Sequence, residues 1–294
     1  MELKVLDGDR IKIKGISDFN PVHIFECGQA FRWNWDGKGY VGIVRDKPLR
    51  VLWENDAVIL ENTSLEDYRK LWEDYFDLKR NYAHIKRELS KDDIMKEAVR
   101  YGWGIRILNQ DPWETLISFI ISANNAISRI KRSIESISKK FGRAVYWDGR
   151  EFYTFPEPER LASASEEELL DCGVGYRASY IIKTAKMVYN QEIDLWNIKN
   201  MKYEDALKTM LKFYGVGPKV ADCVLLFSMG KREAFPVDVW VQRVMETLYL
   251  GKGATPAKIK SFAKDKFGEL AGYAQQYLFY YARENKIGKR PNKH

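Results

Sequence analysis

The hydrophobic period of this 294-residue chain changes once, near Ser64, and that change limits the fold to a sheet followed by helices. Up to about residue 62, short apolar-rich segments recur. Apolar side chains alternate in Glu2-Leu3-Lys4-Val5-Leu6 and Arg10-Ile11-Lys12-Ile13-Lys14, and Phe31-Arg32-Trp33, Tyr40 to Val44, Leu49 to Trp53 and Val58 to Leu60 follow. Such alternation gives a strand one apolar face, and Asp7-Gly8 and Asp36-Gly37 supply tight turns, so short antiparallel strands are expected. From Ser64 onward Leu65, Tyr68, Leu71, Trp72 and Tyr75 fall on one helical stripe, and helical periods follow to the end. The expected fold class is α+β: a small N-terminal antiparallel β-sheet domain with flanking helices over 1–105, then an all-α domain over 106–294.

Several helix ends are written locally. Asp111-Pro112-Trp113-Glu114 combines an N-cap carboxylate, a proline at the first position and a glutamate three residues after the cap, the pattern of a capping box. The helix it opens, Trp113 to about Ser122, is apolar enough to be buried and stops at Ala123-Asn124-Asn125. A basic amphipathic helix, Ile127 to Phe141, follows. Pro156 and Pro158 precede helices within 159–171, and a last helix runs roughly from Leu270 to Asn285. The tail from Lys286 to His294 is basic and expected to fray. Gly173-Val174-Gly175 and Gly215-Val216-Gly217 each end one helix and enter another, so a hairpin-like element occurs twice, the second over about 207–229.

Composition narrows the function classes. Lys and Arg number 48 against 41 Asp and Glu, a net +7 that favours a polyanionic partner without naming it. The three cysteines, Cys27, Cys172 and Cys223, are scattered, and only three histidines are present. That count argues against a disulfide framework, structural zinc or an iron-sulfur cluster. No signal peptide or membrane-spanning apolar run is seen, so an intracellular protein is expected: cytoplasm and nucleoid in a prokaryote, nucleus in a eukaryote.

Chemistry concentrates in two segments. In Gly215-Val216-Gly217-Pro218-Lys219-Val220-Ala221-Asp222-Cys223, the glycines let backbone amides approach a phosphate, and Pro218 suits the first helical position. Lys219 then lies in the first turn, where the positive end of the helix dipole favours the neutral, nucleophilic amine. Cys223, four residues on, shares its face; the same spacing also suits a surface lysine above a buried cysteine. Asp238 stands in apolar Ala234-Phe235-Pro236-Val237-Asp238-Val239, where it needs a partner. It can cap the helix that begins at Val239, and a capped carboxylate can still stabilise positive charge on a sugar. Gln275 and Phe279, four apart among aromatic residues, fit either a core stripe or a pocket offering an amide and a stacking ring to a base. Gln276 points about 100° away and is read as the surface neighbour. Asn124, Arg129, Tyr176 and Arg177 lie at helix ends or turns from which they can reach a groove.

Together these segments, with Cys27-Gly28-Gln29-Ala30-Phe31-Arg32-Trp33, Gln110-Asp111-Pro112, Ser122-Ala123-Asn124-Asn125 and Gly272-Tyr273-Ala274-Gln275, resemble the helix-hairpin-helix DNA glycosylases that carry a Gly-Pro-rich segment and an aspartate. Within them the match is to the 8-oxoguanine DNA glycosylase branch, and it covers nearly the whole chain. The resemblance implies an all-α helix-hairpin-helix glycosylase domain behind the sheet. Its implied activity is bifunctional, excising 8-oxoguanine opposite cytosine from duplex DNA and then cutting the strand by β-elimination. Lys219 is implied as the nucleophile that forms a Schiff base, and Asp238 as its electrostatic helper. Gly28, Cys223, Pro236, Gln275 and Phe279 are implied to bind the flipped base, with the Gly28 carbonyl accepting from the N7–H that guanine lacks. Asn124, Arg129 and Arg177 match contacts to the estranged cytosine, and Tyr176 matches a wedge. The amides of Gly215, Gly217 and Val220 are implied to hold a phosphate. No cofactor or side-chain metal site is required, though a Na+ or K+ ion on the carbonyls of Leu211, Phe213 and Val216 fits the family. The implied partner is lesion-bearing double-stranded DNA, bound by a monomer and away from membranes.

Three positions depart from the better-known animal pattern: Trp240 for a histidine, Ala282 for an aspartate and Ala126 for a third asparagine. Two other readings compete. A glycosylase for alkylated purines would work with the aspartate alone, and Lys219 and Gln275 argue against it. A catalytically silent DNA-binding protein on the same hairpins would be marked by loss of Lys219 or Asp238, and both are present.

Overall fold

The structure is a computed structural model that describes residues 2–288; the basic tail from Lys289 onward lies outside the described residues. The first domain is built on a six-stranded antiparallel sheet in the order β1-β2-β6-β5-β4-β3. Its strands are β1 (Glu2–Leu6), β2 (Arg10–Lys14), β3 (Asn34–Trp35), β4 (Tyr40–Val44), β5 (Lys47–Glu54) and β6 (Ala57–Glu61). Ile11 opposes Leu60 and Ile13 opposes Val58, so the buried faces of β2 and β6 coincide, as the period of two requires. Phe19, Phe25, Trp33, Trp72 and Phe76 fill the space beneath, with Phe25 stacked on Trp33 at 4.3 Å between ring centres.

Two elements correct the expected strands. Phe31-Arg32-Trp33 is not a strand; pairing begins at Asn34. Ahead of it a short helix, Pro21–Phe25, is started by Asn20, whose side chain accepts from Val22 N at 2.9 Å and His23 N at 3.3 Å. Nor are helices continuous after Ser64. β7 (Ala144–Trp147) and β8 (Arg150–Tyr153) form a hairpin around Asp148-Gly149, both with positive φ, as a primed two-residue turn demands.

That hairpin is tied back to the sheet domain by arginines: Arg150 of β8 reaches Asp36 at 3.1 Å, and Arg32 donates to the Tyr153 carbonyl. Arg50 of β5 is buried and reaches Asp36 at 2.9 Å, Glu61 at 2.8 Å and Asp148 at 2.5 Å, with its guanidinium 5.0 Å from the Trp147 ring centre. Despite its burial, Asp36 is held down at about 2 by the N–H groups of Gly39 and Lys38 and by Arg50.

The second domain packs helices around a core in which the segment Pro112–Ser122 and the hairpin helix Pro218–Ser228 are buried on nearly all sides. Helix Ile127–Phe141 has the expected limits. Asp111 caps Pro112–Ser122 by accepting from Trp113 N at 2.9 Å and Glu114 N at 3.0 Å. Glu114 does not close the expected capping box; it turns instead to Arg32 of the sheet domain at 3.4 Å. Burial raises its carboxyl pKa, ahead of the opposing pull of Arg32. The capping box occurs at Ser165 and Glu168.

The last helix, Ala271–Glu284, corrects the reading of Gln276. It is buried from Ala271 to Leu278, because the N-terminal segment around Cys27 covers the side that an isolated helix would show to water. Gln276 is 1% exposed and donates to the Cys27 carbonyl at 2.7 Å.

Replacing Arg50 with Met leaves Asp36 with Arg150 at 3.1 Å and Glu61 with the more distant Arg10 at 3.9 Å. The expected loss is about 2–3 kcal/mol of stability near neutral pH. Denaturant unfolding at pH 7 checks it, and a loss below about 1 kcal/mol contradicts the role given to Arg50.

Candidate functional site

A cavity of about 680 Å³ opens where the two domains meet, and nearly every chemically distinctive residue singled out above lines it. Its floor is the start of helix Pro218–Ser228. Gly217 is the N-cap and offers no side chain, and Pro218 occupies the first position. Gly215 has a φ of +75°, and a Cβ there would lie 2.9 Å from the Tyr180 ring, so the turn needs glycine for both backbone and packing. Lys219 projects into the cavity. Its Nζ donates to Ser122 Oγ at 3.3 Å and stands 5.3 Å from the ring centre of Phe119. Ser122 in turn donates to Phe119 O at 2.8 Å, which leaves its lone pairs for the amine.

Asp238 lies on the same wall. It caps helix Val239–Met245, its Oδ1 accepting from Val241 N at 2.8 Å. Burial pushes its carboxyl pKa upward, opposed first by the Val241 N–H and then by the Lys219 charge. Both sequence readings of Asp238 are therefore compatible in geometry: it starts a helix and lies in the amine's field.

Another part of the lining is unfinished in its hydrogen bonding. Gln275 is 4% exposed; its Nε2 donates to Pro236 O at 3.2 Å, and its Oε1 has no partner. An orphaned buried amide oxygen costs on the order of 1–3 kcal/mol unless something supplies a donor. Phe279 and Cys223 border the same space. Burial raises the Cys223 thiol to about 12, so it presents a neutral, apolar surface. Gly28 has a φ of +77°, and a Cβ there would lie 3.1 Å from Phe279 Cε1. The glycine is thus required by its backbone and by the ring it abuts.

The remaining candidates lie around the rim. Asn124 is exposed with a φ of +48°, and Arg129 and Tyr176 are exposed as well. Arg177 differs from the expected outward-reaching tip. It is 7% exposed, stacks 4.4 Å from the Tyr176 ring centre, and donates to the carbonyls of Ala123, Asn124 and Val174. It shapes the Asn124 turn from within. At the hairpin, Phe213 O accepts the Val216 N–H at 3.3 Å and keeps a second lone pair. Val220 sits in the first turn of the buried helix, where helix geometry gives an N–H no intrahelical partner.

Among the cavity residues that escaped sequence reasoning are Phe119, Ser122, Gln276 and Arg283. Arg283 lies with its guanidinium 5.4 Å from the Phe279 ring centre and donates to the Glu26 carbonyl. Only the Ser122-Ala123-Asn124-Asn125 motif hinted at any of these, because the ties from Ser122 to Lys219, from Gln276 to Cys27 and from Arg283 to Glu26 join residues far apart in the chain.

Comparison with known proteins agrees with this geometry. Residues 12–116 match the family model of the 8-oxoguanine DNA glycosylase N-terminal domain, and residues 117–269 that of the HhH-GPD superfamily base excision DNA repair proteins. A probable N-glycosylase/DNA lyase of Methanothermobacter thermautotrophicus is 35% identical, the alignment covering 83% of this chain and 86% of the relative. The N-glycosylase/DNA lyase of Saccharomyces cerevisiae is 36% identical over 90% of this chain and 83% of its own. The crystal structure of the Clostridium acetobutylicum 8-oxoguanine glycosylase/lyase, in complex with double-stranded DNA containing cytosine opposite 8-oxoguanine, is 43% identical. It superposes with a TM-score of 0.95 over 98% of this chain and 99% of that one. With both halves of the fold matched and the site assembled between them, the chain belongs to the 8-oxoguanine DNA glycosylase family of the HhH-GPD base excision DNA repair superfamily.

Proposed function

We propose that this protein excises 8-oxoguanine paired with cytosine from duplex DNA and then breaks the strand at the resulting site. The observation that carries the proposal is that an amine, a capped carboxylate and an orphaned buried amide line one cavity. The lesion is first flipped out of the stack, at a cost of a few kcal/mol that contacts at the rim offset. Phe279 and Cys223 then sandwich it, and the Oε1 of Gln275 accepts from its Watson–Crick edge. The Gly28 carbonyl accepts from N7–H, which oxidised guanine has and guanine lacks, while Pro236 shapes the pocket through the Gln275 amide it holds.

The neutral amine of Lys219 attacks C1′ as the bond from C1′ to N9 breaks and its electron pair leaves with the base, which takes up a proton. Ionised Asp238 stabilises the positive charge that grows on the sugar. Ring opening gives the Schiff base, and loss of the C2′ proton expels the 3′ phosphate by β-elimination. The amides of Gly215, Gly217 and Val220 hold a backbone phosphate at the helix start, and the carbonyls of Leu211, Phe213 and Val216 would hold a Na+ or K+ ion, which would supply further positive charge there. Asn124, Arg129 and Arg177 receive the estranged cytosine and Tyr176 wedges the duplex; for Arg177 this requires release from the Asn124 turn. The protein acts as a monomer in the compartment that holds the cell's DNA, nucleoid or nucleus.

Single-turnover assays on an 8-oxoguanine:cytosine duplex test these roles. Lys219→Gln is expected to lower base release on the order of a thousandfold, and near-normal release would sink the proposal. Gln275→Leu removes the acceptor for the base edge and is expected to slow 8-oxoguanine release about tenfold to a hundredfold, while cleavage of a preformed abasic site changes little. Equal losses on both substrates would contradict the base-edge role. Because burial raises the Asp238 pKa, activity should fall on acidification with a midpoint above the ordinary aspartate range. Asp238→Asn keeps the cap but should lose that acid limb; a limb unchanged in the variant assigns it elsewhere.

A further inference from the structure

Of the four successive carbonyls from Glu26 to Gln29 around Gly28, three are fastened. Glu26 O accepts from Arg283, Cys27 O from Gln276 Nε2 at 2.7 Å, and Gln29 O from Gln110 Nε2 at 2.7 Å. Among the described residues the Gly28 carbonyl accepts no hydrogen bond. The Gln29 side chain adds a second set of ties, donating to Ile24 O at 3.0 Å and Arg106 O at 2.7 Å and accepting from Leu108 N at 2.9 Å. Two of these donors, Gln276 and Arg283, come from the same helix as Gln275 and Phe279.

This arrangement answers a physical problem. A glycine peptide can rotate with little steric cost, so an unrestrained carbonyl after Gly28 would sample both orientations. The distinction it has to make is small. Guanine N7 is an acceptor, whereas N7 of 8-oxoguanine carries a hydrogen, so a fixed carbonyl attracts one and repels the other. A carbonyl free to turn away loses most of that difference.

We propose that Gln276 and Arg283 form a latch from the last helix that fixes the Gly28 peptide and so sets discrimination between oxidised guanine and guanine. The inference rests on the base-recognition reading above and assigns these two as positioning residues rather than catalytic ones. Gln276 is the stronger point, being buried and bonded to the Cys27 carbonyl at 2.7 Å. Arg283 also lies over the Phe279 ring, which couples the loop to the stacking surface.

The test compares Gln276→Met with the unaltered protein on two duplexes, one bearing 8-oxoguanine opposite cytosine and one bearing an abasic site opposite cytosine. The abasic duplex needs Lys219 but offers no base to recognise. The expected result is at least about a tenfold fall in the ratio of 8-oxoguanine release to abasic-site cleavage, with a smaller preference for lesion over undamaged duplex in binding. An unchanged ratio, including a parallel loss on both substrates, overturns the latch. Should Gln276→Met fail to fold, Arg283→Met, altered at a half-buried side chain, is read by the same ratio and decides in its place. Absence of 8-oxoguanine release by the unaltered protein overturns the recognition reading itself, and is seen before any variant is compared.

Discussion

Burial of helix Pro218–Ser228 is the constraint on which the site depends. From Val220 to Phe227 every residue is inside the core, and each large apolar side chain among them contributes roughly 1.5–3 kcal/mol on leaving water. One of the buried residues is Asp222, held by Lys260 and by the Tyr203 hydroxyl at 2.7 Å. Burial raises its pKa, with Lys260 pulling the other way. A helix packed on every side cannot turn about its axis, so its first turn must deliver Lys219 and Cys223 to the cavity together. The nucleophile's position is thereby set by the core, and Ser122 and Phe119 only refine its tip.

The cavity separates its chemical roles by environment. The two cysteines that border it are both neutralised by burial, Cys27 to about 11 and Cys223 to about 12, so neither offers a thiolate in competition with the amine. Lys219 sits against a hydroxyl and an aromatic ring, and its charge is near enough to Asp238 to oppose in part the upward push of burial on that carboxyl. Gln275 brings a polar atom into an apolar slot and leaves it unsatisfied. Stability alone would select against that oxygen; a ligand with a matching donor explains why it stays.

What the sequence made legible is what short segments decide. Asp111-Pro112 and Asp238 cap helices because capping needs only neighbours, and Ile127–Phe141 announced itself by period and charge. Lys219 and Asp238 stood out because their local settings make a lysine and a carboxylate awkward. Contacts across the domain junction were hidden. Gln276 looked like a surface residue because helix geometry says nothing of the Cys27 segment, 249 residues away, that covers it. Glu114 left its expected capping box for Arg32 for the same reason. The β7 to β8 hairpin was masked by helices on either side, although Asp148-Gly149 carried the turn signal. Asn124 and Arg177 were both read as tips able to reach a groove, but only the structure revealed that the arginine braces the turn that presents the asparagine.

The central claim is that Lys219 becomes covalently joined to the sugar of the damaged nucleotide, and borohydride reduction during reaction tests it most directly. On a duplex with 8-oxoguanine opposite cytosine, reduction is predicted to trap a protein–DNA adduct that peptide mapping places on Lys219. An adduct mapped to another amine, or none despite release of the base, would contradict the account.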